Sequence, residues 1–120
     1  MAAALLGISP LLTPALMTTP AYAAEASKLG DLSKFRTIAS DTLALINKNN
    51  RADAKARIKD LETSWDNAEA GLKPRAAKDW HHVDKAIDGA LTAVRNDKSS
   101  QAECQKALND LLVAMDHPAA

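Results

Sequence analysis

The chain has one cysteine, Cys104, so no internal disulfide can staple it. It has four glycines, none of them in a run that could cradle a phosphate. Aromatic residues make up 3% of the sequence and the formal net charge is zero. Neither a stacking platform nor a basic stripe for nucleic acid is therefore present. No Gly-x-Ser-x-Gly elbow surrounds any serine. There is also no Cys-x-x-Cys, His-x-x-x-His or Glu-x-x-His spacing. The residues offer no nucleophile with a base beside it, and the sequence predicts a protein that is not an enzyme.

Charge is missing from one region in particular. All fifteen Lys and Arg and all fifteen Asp and Glu lie after residue 23. Residues 2–16 are almost wholly apolar, and Ala21-Tyr22-Ala23 follows with small residues where a signal peptidase cuts. The pattern predicts a signal peptide over 1–23 and a periplasmic or secreted mature chain. The one departure is the lack of Lys or Arg ahead of Lys28, which an upstream start would supply. Pro10, Pro14 and Pro20 interrupt the apolar run, which falls short of the roughly 20 residues a membrane span requires. No cysteine follows the run to carry a lipid. In an oxidising compartment the lone Cys104 is expected to be a buried, inert thiol, the alternatives being an intermolecular disulfide or a metal-bound thiolate.

Residues 24–120 make one small domain, and they read as helix almost throughout. Alanine is abundant and no window alternates with period two. A first helix is predicted from about Leu32 to Lys48, with Leu32, Phe35, Ile38, Ala39, Leu43 and Ile46 inward. A second carries Ala54, Ile58, Leu61, Trp65, Ala68 and Leu72 at spacings of four and three, with Gly71 read as its left-handed stop before Pro74. A third runs from about Arg75 to Arg95 with the stripe Trp80, Val83, Ile87, Ala90, Leu91 and Val94. Ser100 and Glu103 form a capping box for a fourth, whose stripe is Cys104, Leu108, Leu111 and Met115. Four amphipathic helices with short connections predict an all-α, antiparallel up-down four-helix bundle. Alanines in the stripes suggest a close approach of the second and third helices. His117 falls in a tail expected to fray.

Acids flank the two tryptophans. At about 100° per residue, Glu69 lies about 40° from Trp65, and Asp84 stands in the same relation to Trp80. Glu62 and Asp88 lie further toward each rim, and His81 shares the flank. Carboxylates and an imidazole at helical spacing suit a divalent metal. Glu62, Glu69, His81, Asp84 and Asp88 are thus the candidate metal ligands. The plainer alternative is boundary acids paired with Lys59, Lys73, Lys85 or Arg95 across solvent. His82 falls on the outer face.

The segment Trp65-Asp66-Asn67-Ala68-Glu69 parallels Trp80-His81-His82-Val83-Asp84. Residues 61–74 and 80–91, which contain these two elements, resemble small exported proteobacterial helical proteins of unsettled function, some of them labelled histidine kinases. The Trp-x-x-Ala-Glu-x-x-Leu element is also similar to periplasmic helical segments beside some iron permeases. His82-Val83-Asp84-Lys85-Ala86 loosely resembles the His-x-x-Lys-Gly segment of histidine-phosphotransfer domains. Asp84, though, puts an acid where phosphate would sit, and export removes the phosphodonor. A kinase itself is excluded by the absence of a nucleotide lid and by length. The resemblances imply a binding or accessory module, with a divalent metal as candidate ligand and a membrane-bound permease as partner. The alternative is a sensory or interaction module contacting a membrane-bound sensor of a two-component system.

Export is directly testable. Periplasmic fractionation with N-terminal sequencing is expected to recover a chain that begins near Ala24. Intact Met1 on protein confined to the cytosol would refute the assignment.

Overall fold

The computed structural model describes residues 28–119. The predicted signal peptide, residues 1–23, lies outside them. Among the described residues there are four helices: α1 Ser33–Asn47, α2 Arg51–Leu72, α3 Ala77–Arg95 and α4 Gln101–Asp116. Each packs on its sequence neighbour, and α4 returns to α1, so the four close a ring around one core. This is the predicted all-α up-down bundle.

Local chemistry sets the helix boundaries. Asp31 accepts the Ser33 N–H at 2.8 Å ahead of α1. Asn49 takes φ of 60° in the turn that follows, a conformation asparagine tolerates better than most residues. Asn50 then caps α2 by accepting the Asp53 N–H at 3.1 Å. The predicted capping box is present in α4: Ser100 accepts from Glu103 N, and Glu103 accepts from Ser100 N at 2.8 Å. Gly71 does not stop α2. The helix passes through it, and Lys73 still has helical angles. The stop comes from Pro74, whose ring leaves no N–H to continue the ladder. As a result α3 begins at Ala77, two residues later than predicted. The tail does not fray. The His117 N–H bonds the Val113 carbonyl at 2.9 Å, and Pro118 is fully buried.

The core follows the predicted stripes with few changes. Phe35, Ile38, Ile46, Ile58, Leu61, Val83, Ile87, Val94, Leu108 and Leu111 are all buried. In α1 the inward position is Thr42 rather than Leu43. Its hydroxyl donates to the Ile38 carbonyl at 2.8 Å, which removes the cost of burying a polar group. Cys104 is buried and its thiol donates to the Ala93 carbonyl at 3.3 Å. Burial pushes this thiol above its ordinary pKa, so thiolate chemistry is suppressed there.

The aromatic residues gather at one seam. The rings of Trp65 and Trp80 stack at 5.6 Å between centroids and 11° between planes. Phe35 meets Trp65 edge-on at 5.2 Å and 87°. Two indoles filling the α2–α3 seam make it the most sparsely packed of the four between backbones, contrary to the close approach read from its alanines.

At the opposite end of the bundle, polar side chains close the loops. Arg51 donates to the carbonyls of Asn96 at 3.1 Å and Ser99 at 2.8 Å. Gln101 donates to the Ile46 carbonyl at 2.9 Å, and Lys55 pairs with Asp97. These bonds tie the start of α2 and the end of α1 to the α3–α4 connection.

Trp65 and Trp80 are 1% and 4% exposed. Replacing either with Ala is expected to cost about 3–5 kcal/mol in urea unfolding followed by circular dichroism. That is much of the roughly 5–15 kcal/mol total stability of such a domain. A loss below about 1 kcal/mol at both positions would contradict this account of the seam.

Candidate functional site

The candidate ligands lie along the α2–α3 seam, outside the stacked indoles. Their spacing divides them into two groups. Glu62 and Asp66 on α2 lie one turn apart, as do Asp84 and Asp88 on α3. These four carboxylates face one another across the seam. Asp88 senses the other three: partial loss of water pushes its carboxyl upward first, followed by repulsion from Asp84, Asp66 and Glu62. Asp66 was not among the predicted residues. It sits four positions after Glu62, so the same helical spacing that singled out Glu69 from Trp65 could have found it.

Glu69 and His81 belong to the other group, near the α2–α3 turn. Glu69 pairs with Lys73 at 3.4 Å. The Lys73 ammonium also lies 5.1 Å from the centre of the Trp80 ring, a cation–π contact. His81 is exposed and stands edge-on to Trp80 at 5.3 Å. Among the described residues, no group of three or more His, Cys, Asp or Glu side chains is placed to hold a metal ion.

Three of the four predicted acids, Glu62, Glu69 and Asp84, also have a structural role. Arg95 reaches across the seam to Glu62, with contacts of 2.7 and 3.3 Å to its two oxygens, and holds that carboxyl below its ordinary pKa. Asp84 accepts the Trp65 indole N–H at 3.0 Å. That bond satisfies a buried donor and fixes the tilt of the ring. An antiparallel hairpin relates Trp65 and Asp84 to Trp80 and Glu69 by an approximate two-fold, which matches the sequence parallel between the two segments. The chemistry does not follow that symmetry. Glu69 is turned to Lys73, and the buried Trp80 indole N–H has no hydrogen-bond partner among the described residues.

The central group is therefore a negative surface with one cation bonded to it, Arg95, and a second, Lys59, near Glu62. Asp66 and Asp88 are exposed and make no ion pair with a described residue. Elsewhere five acids are paired with a cation: Asp116 with Arg36, Asp41 and Asp60 with Arg57, Asp97 with Lys55 and Asp110 with Lys106.

No family model matches the chain, and no curated protein or solved structure matches it significantly. Among the described residues, no helix is long and apolar enough to cross a membrane.

The upward shift at Asp88 fixes the sign of a pH effect. A carboxyl raised on folding holds its proton more tightly in the native state, so stability falls as pH rises through the carboxylate range. Asp88→Asn removes the repelled charge. It is expected to raise the melting temperature at neutral pH by an amount worth less than about 1 kcal/mol, since the group is exposed. The gain should shrink in acid, where wild-type Asp88 is itself neutral. A destabilised variant at neutral pH would contradict the repulsion described here.

Proposed function

We propose that this protein is an exported helical binding and accessory module, not an enzyme, whose acidic α2–α3 face receives a cation. The observation that carries the reading is the charge imbalance at Glu62, Asp66, Asp84 and Asp88. Four carboxylates are answered by one bonded arginine and by Lys59 near Glu62, and Asp88 is pushed upward by burial and by its acidic neighbours. Such a surface is less stable alone than with a positive group against it, which is the energetic signature of a binding face. The apolar leader and the Ala21-Tyr22-Ala23 site support placement outside the cytoplasm. The resemblance of the Trp-x-x-Ala-Glu-x-x-Leu element to segments beside iron permeases supports an accessory role near a membrane protein.

The cation has two chemical sources. One is a divalent metal ion held through its water shell, since Glu62 and Asp84 are already engaged by Arg95 and Trp65. The other is a Lys- or Arg-rich segment of a membrane-bound partner. Both are attracted by exposed carboxylates, and both weaken as salt screens the face.

Melting curves separate the two sources. Wild type and the Asp66→Asn, Asp88→Asn double variant are heated with zinc, copper, iron or manganese, and separately with an oligolysine peptide. A ligand binding the folded chain at about ten times its Kd adds about 1.4 kcal/mol. For a domain of this size that corresponds to about 6–11 °C. A metal-dependent rise lost in the double variant selects the ion, and a rise with oligolysine alone selects the basic segment. If neither ligand shifts the wild type, or if the double variant responds equally, the acidic face is not a binding face.

A further inference from the structure

Among the described residues, one buried side-chain donor lacks an acceptor. Trp80 is 4% exposed, and its indole N–H makes no hydrogen bond. Its counterpart on α2 is satisfied, since the Trp65 N–H donates to Asp84 at 3.0 Å. The register of the hairpin makes the comparison close. Trp65 with Asp84, and Glu69 with Trp80, are centred on the same point of the turn, between Pro74 and Arg75. Each acid also follows the tryptophan of its own helix by one turn. Glu69 therefore stands to the Trp80 N–H as Asp84 stands to the Trp65 N–H.

What separates the two acids is the residue one turn further along each helix. After Asp84 that residue is Asp88, a like charge, so no cation competes there and Asp84 takes the indole. After Glu69 it is Lys73, whose ammonium lies 3.4 Å from a Glu69 oxygen. That pair is open to water, with side chains 44% and 39% exposed. An exposed pair at this spacing contributes little to stability. A buried N–H without an acceptor costs more than such a pair contributes. The balance favours Glu69 on the indole. Lys73 keeps a partner without the carboxylate, because its ammonium lies 5.1 Å from the centre of the Trp80 ring.

We propose that Glu69 is a two-position latch that exchanges between the Lys73 ammonium and the Trp80 indole N–H. The structure holds the open position, with Glu69 on its own helix. In the closed position the side chain crosses from α2 to α3 and satisfies the buried donor. It then ties the hairpin end as the Asp84 bond ties the seam one turn away. Closing uncovers Lys73 and adds a positive charge to a turn whose exposed Arg75 makes no ion pair with a described residue. An acidic group that engages Lys73 therefore favours the closed latch, and a cation that engages Glu69 favours the open one.

The two indole N–H signals in proton–nitrogen correlation spectra test the latch. Lys73→Met removes the competing cation. It should move the Trp80 indole proton downfield and slow its exchange with water several-fold. Glu69→Ala should move the same proton upfield and speed its exchange, with the Trp65 signal in place. In the Glu69→Ala background, Lys73→Met should no longer move the Trp80 signal downfield. Both side chains are partly exposed, so these variants keep the fold. A Trp80 signal unmoved by either single change would overturn the proposal and assign the donor to a buried water or to no acceptor. So would a downfield shift that persists without Glu69, or shifts of the same sign from the two single changes, as a plain Glu69–Lys73 pair would give.

Discussion

The stack of Trp65 on Trp80 is the contact on which the rest of this small bundle depends. Two large rings meet across the α2–α3 seam, with Phe35 of α1 set edge-on against them. Aromatic rings carry more buried area than any other side chain, and the chain has only four aromatic residues in all. Concentrating three of them at one point joins three helices there. The remaining core is aliphatic and narrow, built from Ile, Leu, Val and Ala. The width of the indoles also explains why α2 and α3 stand apart despite the alanines on their facing stripes.

That stack in turn positions the acids. Trp65 lies in the core with its N–H directed outward to Asp84, so a buried ring holds a boundary carboxylate in place. Glu62 is held from the other side by Arg95. The flank is thus built by apolar packing and finished by charge. The other ion pairs act between elements or along a single helix surface. Arg36 clamps Asp116 through two contacts of 2.7 and 2.9 Å, joining the start of α1 to the end of α4. The arginine holds that carboxyl below its ordinary value, so its contribution is present at neutral pH and fades as acid protonates the carboxylate. Asp88 behaves in the opposite sense. The molecule pairs five acids with cations elsewhere and leaves four carboxylates crowded at one seam.

Much of the candidate site was legible in the sequence, because helical spacing alone places Glu62, Asp84 and Asp88 beside the tryptophan stripes. Asp66 obeys the same spacing and completes the group. Glu69 and His81 share the flank in projection but not in height. A helical wheel records angle and discards rise, and seven residues along a helix amount to about 10 Å. The wheel therefore merged a central acidic group with a separate set at the hairpin end. The pairing of Glu69 with Lys73 follows from their i,i+4 spacing in the last turn of α2, where Lys73 keeps helical angles.

The sequence by itself determined the number of helices, the capping box at Ser100 and nearly every buried position. These follow from local rules: a 3.6-residue period, a side-chain oxygen before a helix, and a proline that cannot donate. Tertiary structure decided what local rules leave open. Thr42, not Leu43, shares the buried face of Phe35, Ile38, Ala39 and Ile46, with its hydroxyl satisfied by the Ile38 carbonyl. The lone cysteine became an inert thiol facing the Ala93 carbonyl. Above all, the partners of the charges that pair between elements, such as Arg36 with Asp116 and Arg95 with Glu62, were set by tertiary structure. Ion pairs between helices need two surfaces brought to a common height and angle, and neither quantity is written in one helix alone.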